Sequence, residues 1–203
     1  KVRRSFPISK KLLGELFSDK YIFKENLGQG NYGTVTVVTE KSSGELLVIK
    51  KMPFKGMLDI TYMMAQGEIN ILKNLKNKNC DKYTVCYVND IIHEDNMYVV
   101  LKYNENFKTL SRVYSELSDD IKFKVVDNLI KGLHYLQKNN IAHNDIKADN
   151  ILVNVTTGDI KYIDFGVSCL NSCFMIWAGT PGYMSPEMIT LQQKGVQAPM
   201  NTK

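Results

Sequence analysis

The sequence predicts an α+β chain in two lobes: a small β-rich N-terminal lobe with one main helix (residues 1–103) and a mainly helical C-terminal lobe (residues 104–203). Three observations carry this. Up to Tyr103 the apolar residues come in short, β-branched runs, interrupted once by a helix-like stretch from about Leu58 to Leu75. Asn104-Glu105-Asn106 is a polar connector. Beyond it Ile121, Val125, Leu129, Leu133 and Leu136 recur at three- and four-residue intervals, the stripe of a helix that faces a core.

Taken in order, Tyr21 to Leu27 and Thr34 to Thr39 read as strands flanking the glycine-rich run Gly28-Gln29-Gly30-Asn31-Tyr32-Gly33-Thr34-Val35. Leu46 to Lys50 is the next strand, with Lys51 beside it facing solvent. Gly67 precedes Glu68 inside the helix-like stretch and costs about 1 kcal/mol relative to alanine. That weakness marks this helix as a regulatory element able to swing or fray. Met97 to Tyr103 is a further strand. Ser118 caps the second-lobe helix, Asp119 and Asp120 sit at the positive end of its dipole, and Asn139-Asn140 ends it.

That helix delivers the chain to His143-Asn144-Asp145-Ile146-Lys147-Ala148-Asp149-Asn150, and Asp164-Phe165-Gly166 follows after a short interval. Between the two clusters Ile151 to Val155 is apolar, Thr156-Thr157-Gly158-Asp159 is turn chemistry, and Ile160 to Ile163 is apolar again. This is a hairpin. Its open ends bring Asn150 and Asp164 side by side, where their oxygens suit magnesium. Asp145 then accepts or orients the proton of an attacking hydroxyl, and Lys147 offsets charge on a transferred phosphoryl group. The pattern reads as a phosphoryl-transfer centre.

Composition narrows the setting. With 203 residues, 44% of them hydrophobic, the chain can bury a sizeable core. No apolar run reaches membrane-spanning length. The net charge of +5 is mild and scattered apart from Lys1 to Arg4 and Lys10-Lys11, so neither membrane nor nucleic acid is expected as a partner. Cys80, Cys86, Cys169 and Cys173 lack zinc-site spacing, and free thiols in a reducing compartment, cytoplasm or nucleus, are expected. His143 reads as a packed residue of its loop, while His93 and His134 show no chemical partner. No signal peptide is expected, and the lack of an initial Met reads as an excised segment.

At these residues the chain resembles the eukaryotic-type protein kinases, whose catalytic loop and magnesium-binding triplet carry this pattern. The resemblance implies ATP and Mg2+ as cofactors and a protein substrate with a serine or threonine acceptor. Gly28, Gln29, Gly30, Asn31, Tyr32 and Gly33, lying between two strands, match the flap over the nucleotide phosphates. Lys50 matches the lysine of the α and β phosphates, and Glu68 the helix glutamate that pairs with it. Leu101 would be the gatekeeper, and the Lys102 carbonyl and Asn104 amide the backbone partners of the base. Val35, Val48 and Leu152 would sandwich the adenine, and are equally ordinary core residues.

Gly179-Thr180-Pro181-Gly182-Tyr183-Met184-Ser185-Pro186-Glu187 resembles the segment that docks the acceptor peptide, with Ser185 where alanine is usual. Thr180 and Lys147 together follow the serine/threonine-specific pattern. Two positions depart from the family. Asn144 replaces the arginine that holds an activation-loop phosphate, and Ile176 stands where the accepting threonine lies. The expectation is a loop ordered by packing through Ile176 and Trp177, with Ser168 and Ser172 as remaining candidates for modification. From Met188 to Lys203 no D-x-W-x-x-G-like run occurs, so the C-terminal part of the larger lobe is expected to lie outside this sequence. The reading is a serine/threonine protein kinase. A nucleotide-binding pseudokinase or regulatory scaffold is disfavoured because Lys50, Glu68, Asp145, Asn150 and Asp164 are all present, and a small-molecule phosphotransferase would leave Gly179 to Glu187 superfluous.

Overall fold

The alternating residues of the first lobe build a five-stranded sheet. The computed structural model describes residues 17–30, 33–56, 58–76, 78, 80, 82–175, 179–194 and 198–201. Its packing divides them into two units, one made of the residues up to Phe54 with Val88–Tyr103, the other of Lys55–Tyr87 with the chain from Asn104 onward.

In the first unit β1 (Tyr21–Gly30), β2 (Gly33–Glu40), β3 (Leu46–Pro53), β4 (Tyr87–His93) and β5 (Asn96–Lys102) lie in the order β1-β2-β3-β5-β4. Register sorts their side chains onto two faces. Val38, Leu47, Ile49, Tyr98 and Val100 share one, and with Phe17 and Tyr21 they form this unit's core. Phe17 meets Tyr98 edge-on at 5.3 Å. Lys51 falls on the same face, half-buried with its ammonium 5.8 Å above the Tyr98 ring, and so does not simply face solvent as its sequence suggested. Gly33 is required by close approach: a Cβ there would stand 1.8 Å from the Lys51 carbonyl oxygen.

In the second unit α1 (Ile60–Lys76) starts at Asp59, whose carboxylate accepts from the Thr61 amide at 2.8 Å. The sequence reading described this helix with the first lobe, and its contacts group it with this unit. The loop behind it explains why. Tyr83 accepts a backbone hydrogen bond from Tyr162 at 2.8 Å, Thr84 bridges to Tyr162, and the Tyr135 hydroxyl donates to the Lys78 carbonyl at 2.7 Å. Within the loop Cys80 and Cys86 form a disulfide, and Cys169 is disulfide-bonded as well. The expected free thiols are therefore corrected. The cause is a curl that spacing does not reveal: both the amide and the hydroxyl of Thr84 donate to the Cys80 carbonyl at 3.0 Å, which brings the two cysteines within 5.3 Å, Cα to Cα.

After α2 (Leu110–Val113), α3 (Asp119–Lys138) begins at Ser118, which accepts from the Ile121 amide at 3.4 Å, and ends at Asn139 and Asn140, the latter at φ +57°. Its inner face is Val125, Gly132 and Leu136. Leu133 does not join them and is 42% exposed, beside Phe123, Val126 and Ile130, which are exposed too. The helix is rotated to put Gly132 against Tyr162, whose ring a Cβ at 132 would meet at 2.7 Å. The strands here are β6 (Phe107–Thr109), β7 (Ile141–Ala142), β8 (Ile151–Asn154), β9 (Ile160–Tyr162), β10 (Cys169–Leu170), β11 (Ser172–Met175) and β12 (Ala198–Asn201), with α3 followed late in the chain by α4 (Pro186–Lys194). They form the sheet β6-β8-β9 and the pairs β7-β10 and β11-β12. Among the described residues no helix is long and apolar enough to cross a membrane.

Candidate active site

The hairpin β8-β9 closes as its turn residues require. Asn154 Oδ1 accepts from the Thr156 and Thr157 amides at 3.0 and 3.3 Å, and Gly158 takes φ +76°. Ile151 lies opposite Tyr162. At the open end the Ile163 amide donates to the Asn150 carbonyl at 3.0 Å, which sets Asp164 beside Asn150. Asp164 itself takes φ +64°, a left-handed conformation that turns the chain sharply after the strand.

Asn150 is 5% exposed and serves two acceptor atoms of one neighbour. Its amide nitrogen donates to the Asp145 carbonyl at 2.8 Å and to Asp145 Oδ2 at 2.9 Å. That leaves the amide oxygen as the atom able to meet a hard cation. The nearby Asp164 offers a carboxylate, and two such oxygen donors are sparse for a caged metal but of the kind that suits magnesium with its remaining positions filled from outside the protein. Among the described residues no group of three or more His, Cys, Asp and Glu could hold a metal unaided.

Asp145, Lys147 and Thr180 converge from two segments. Thr180 Oγ1 donates to Asp145 Oδ1 at 2.6 Å, Lys147 Nζ donates to Thr180 Oγ1 at 2.6 Å, and Lys147 Nζ stands 2.9 Å from Asp145 Oδ2. Burial works to raise the Asp145 carboxyl, but the Thr180 hydroxyl, the Lys147 ammonium and the Asn150 amide outweigh it and hold its pKa below the ordinary value. For Lys147 burial is again opposed, here by the carboxylates of Asp145, Asp149 and Asp164, and its pKa is raised. At neutral pH both are charged.

His143 supports the loop from behind, as its sequence position suggested. Its Nε2 lies 3.0 Å from the Ile163 carbonyl and the Asp145 amide approaches its Nδ1 at 3.4 Å, so the ring is neutral with the proton on Nε2. Burial pushes its pKa down. The ring packs 5.0 Å from Phe165, which is 1% exposed.

The remaining site residues divide between the units. In the first, Lys50 lies directly across from Val35 on β2 and Val99 on β5, and Val48 directly across from Leu101, so all four candidates share the face opposite the Phe17 core. Gly28 and Gly33 bound the β1-β2 turn at φ +155° and +146°, while Asn31 and Tyr32 lie outside the described residues, as do Ile176 and Trp177. Lys102 ends β5. In the second unit Glu68 is 2% exposed on α1, Leu152 is half-buried on β8, and Asn104 opens the connector, its carbonyl accepting from the Phe107 amide at 3.0 Å.

Two partners were not foreseen. The Ser111 hydroxyl donates to Asp149 at 2.8 Å and the Ser168 hydroxyl to the His143 carbonyl at 2.8 Å. Ser168 stood out in the sequence only as a candidate for modification, whereas Ser111 carries no local signal.

Comparison with known proteins gives the family. The protein kinase domain family matches residues 21–201. The chain is 35% identical over 174 residues to the serine/threonine-protein kinase pakG of Dictyostelium discoideum, covering 82% of this chain and 14% of that protein. To the serine/threonine-protein kinase TAO3 of Xenopus laevis it is 28% identical over 178 residues, 86% of this chain and 19% of the relative. To sid1 of Schizosaccharomyces pombe, also a serine/threonine-protein kinase, it is 29% identical over 189 residues, 90% of this chain and 39% of the relative. The chain thus spans only 14–39% of the length of these relatives. With the family matched over nearly its whole length, the chain belongs to the protein kinase domain family.

Proposed function

We propose that this chain is the catalytic portion of a serine/threonine protein kinase, moving the γ-phosphoryl group of ATP to a protein hydroxyl, with an activation segment that works without a phosphate clamp. The observation that carries the reading is the Asp145–Thr180–Lys147 cluster. Asp145 is a weak base because its pKa is lowered, so its part is to orient the acceptor hydroxyl and receive the proton late. A loose phosphoryl-transfer transition state asks for no more. Lys147, held protonated, offsets negative charge on the phosphoryl oxygens. Thr180 fixes both side chains at the floor where an acceptor peptide would lie. Magnesium, when bound through the Asn150 oxygen and Asp164, supplies charge neutralisation at the phosphates. Lys50 and the Gly28–Gly33 turn handle the nucleotide phosphates, and the Lys102 carbonyl and Asn104 amide the base. The fragment of chemistry that argues against a phosphate clamp is Asn144, an uncharged side chain that cannot pair with a phosphate.

The test is incubation of the purified protein with γ-labelled ATP, magnesium and a generic basic protein, followed by phosphoamino-acid analysis. Label on serine and threonine supports the reading. Label on tyrosine alone, or on small metabolites only, contradicts it. Phosphatase pretreatment should leave the rate nearly unchanged, whereas a clamped loop would lose roughly a hundredfold in its active population.

A further inference from the structure

Asn144 is where the chain is tied across the site. It sits at φ +65°, a conformation that asparagine tolerates and most residues do not. From there its side-chain amide donates to the Val167 carbonyl at 3.0 Å and reaches Cys169 Sγ at 3.0 Å. Ser168, between those two, donates back to the His143 carbonyl at 2.8 Å. Backbone pairing continues the seam: Cys169 lies opposite Ala142, and the Asn171 amide donates to the Asn140 carbonyl at 2.7 Å. The far end of the same segment also returns to Asn144. Gly179 comes so near that a Cβ there would stand 3.0 Å from the Asn144 carbonyl oxygen. One residue therefore touches the segment where it leaves the Asp164 triplet and where it arrives at Thr180.

The left-handed backbone alone does not call for asparagine, since glycine takes it more easily. What asparagine adds is the amide, and both of its acceptors belong to the activation segment. We propose that Asn144 is a positioning residue, latching the activation segment through uncharged hydrogen bonds so that Thr180 stays on Asp145 without a phosphate. This rests on the kinase reading above and adds the group that takes over the clamp. Phosphorylation of Ser168 would remove the hydroxyl donor to His143 and loosen the seam.

The test compares wild type with Asn144→Gly, which keeps the backbone conformation and loses the amide, and Asn144→Asp, which presents a carboxylate to the Val167 carbonyl. Asn144→Gly should lower kcat roughly tenfold, the worth of about one neutral hydrogen bond to the Val167 carbonyl with a weak contact to the Cys169 sulfur, and leave KM for ATP unchanged. Asn144→Asp should be slow at pH 8 and recover as pH falls through the pKa of its carboxyl, which the facing Val167 carbonyl raises, because the protonated form regains a donor. The wild type has no such recovery. Hydrogen exchange at residues 167–170 reads the latch without any turnover and should accelerate in Asn144→Gly, and in Asn144→Asp at high pH only. Wild-type kcat in Asn144→Gly, or unchanged exchange at residues 167–170 in both variants, overturns the latch. If the wild type itself transfers no phosphoryl group while the exchange pattern holds, the latch stands and the kinase reading fails.

Discussion

The Thr180 hydroxyl donates to Asp145 Oδ1 at 2.6 Å while accepting from Lys147 Nζ at the same distance. One hydroxyl thus sets the separation of the two charged residues. Thr180→Ala should lower kcat about tenfold and raise the pKa of Asp145, because the hydrogen bond is the largest influence that favours the carboxylate. The acid limb of the pH–rate profile should then move to higher pH, and Thr180→Ser should restore both. An unmoved acid limb in Thr180→Ala would show that Thr180 does not control Asp145.

How much of this was legible in the sequence depends on how local its cause was. Asn150 and Asp164 could be paired in advance because the turn residues Asn154 to Asp159 close a hairpin by contacts among themselves. The capped start of α3 at Ser118 was equally local. Leu133 was misplaced because the rotation of that helix is set by Tyr162, a residue beyond the helix and the loop after it. The Cys80–Cys86 bond was missed because the curl that makes it depends on Thr84 and on the loop's docking along Tyr162. The latch role of Asn144 was invisible for the same reason: the position was marked by what it lacks, and its partners lie 23 and 25 residues away.

His143 ties folding stability to pH. Its folded pKa is lowered by burial, so the unfolded chain binds a proton near pH 6.5 that the folded chain refuses. Its contribution is complete above that value and is lost as pH falls below it, by up to about 1.4 kcal/mol per pH unit. Melting curves at pH 7.5 and 5.5 should show a smaller acid loss in His143→Gln than in wild type. Equal losses would mean that His143 titrates freely in the folded state.

Two helical glycines should respond in opposite directions. Gly67 has nothing within 4 Å of a built Cβ, so Gly67→Ala should stabilise by about 0.5–1 kcal/mol through helix propensity. Gly132→Ala would drive a methyl to 2.7 Å from the Tyr162 ring and should destabilise by about 1–3 kcal/mol. Because Tyr162 donates to the Leu129 carbonyl at 2.9 Å and is fully buried, the ring has little freedom to yield. Denaturant midpoints decide it, and a stabilised Gly132→Ala would contradict the packing described for α3.

The measurement closest to the central claim is phosphoryl transfer by Asp145→Asn, compared with wild type under saturating magnesium and ATP. Asparagine keeps the size and most hydrogen bonds of the side chain but cannot receive the hydroxyl proton. The account predicts a fall in kcat of about 10²–10⁴-fold with melting temperature and ATP affinity close to wild type. Turnover within threefold of wild type in a folded Asp145→Asn protein would contradict it.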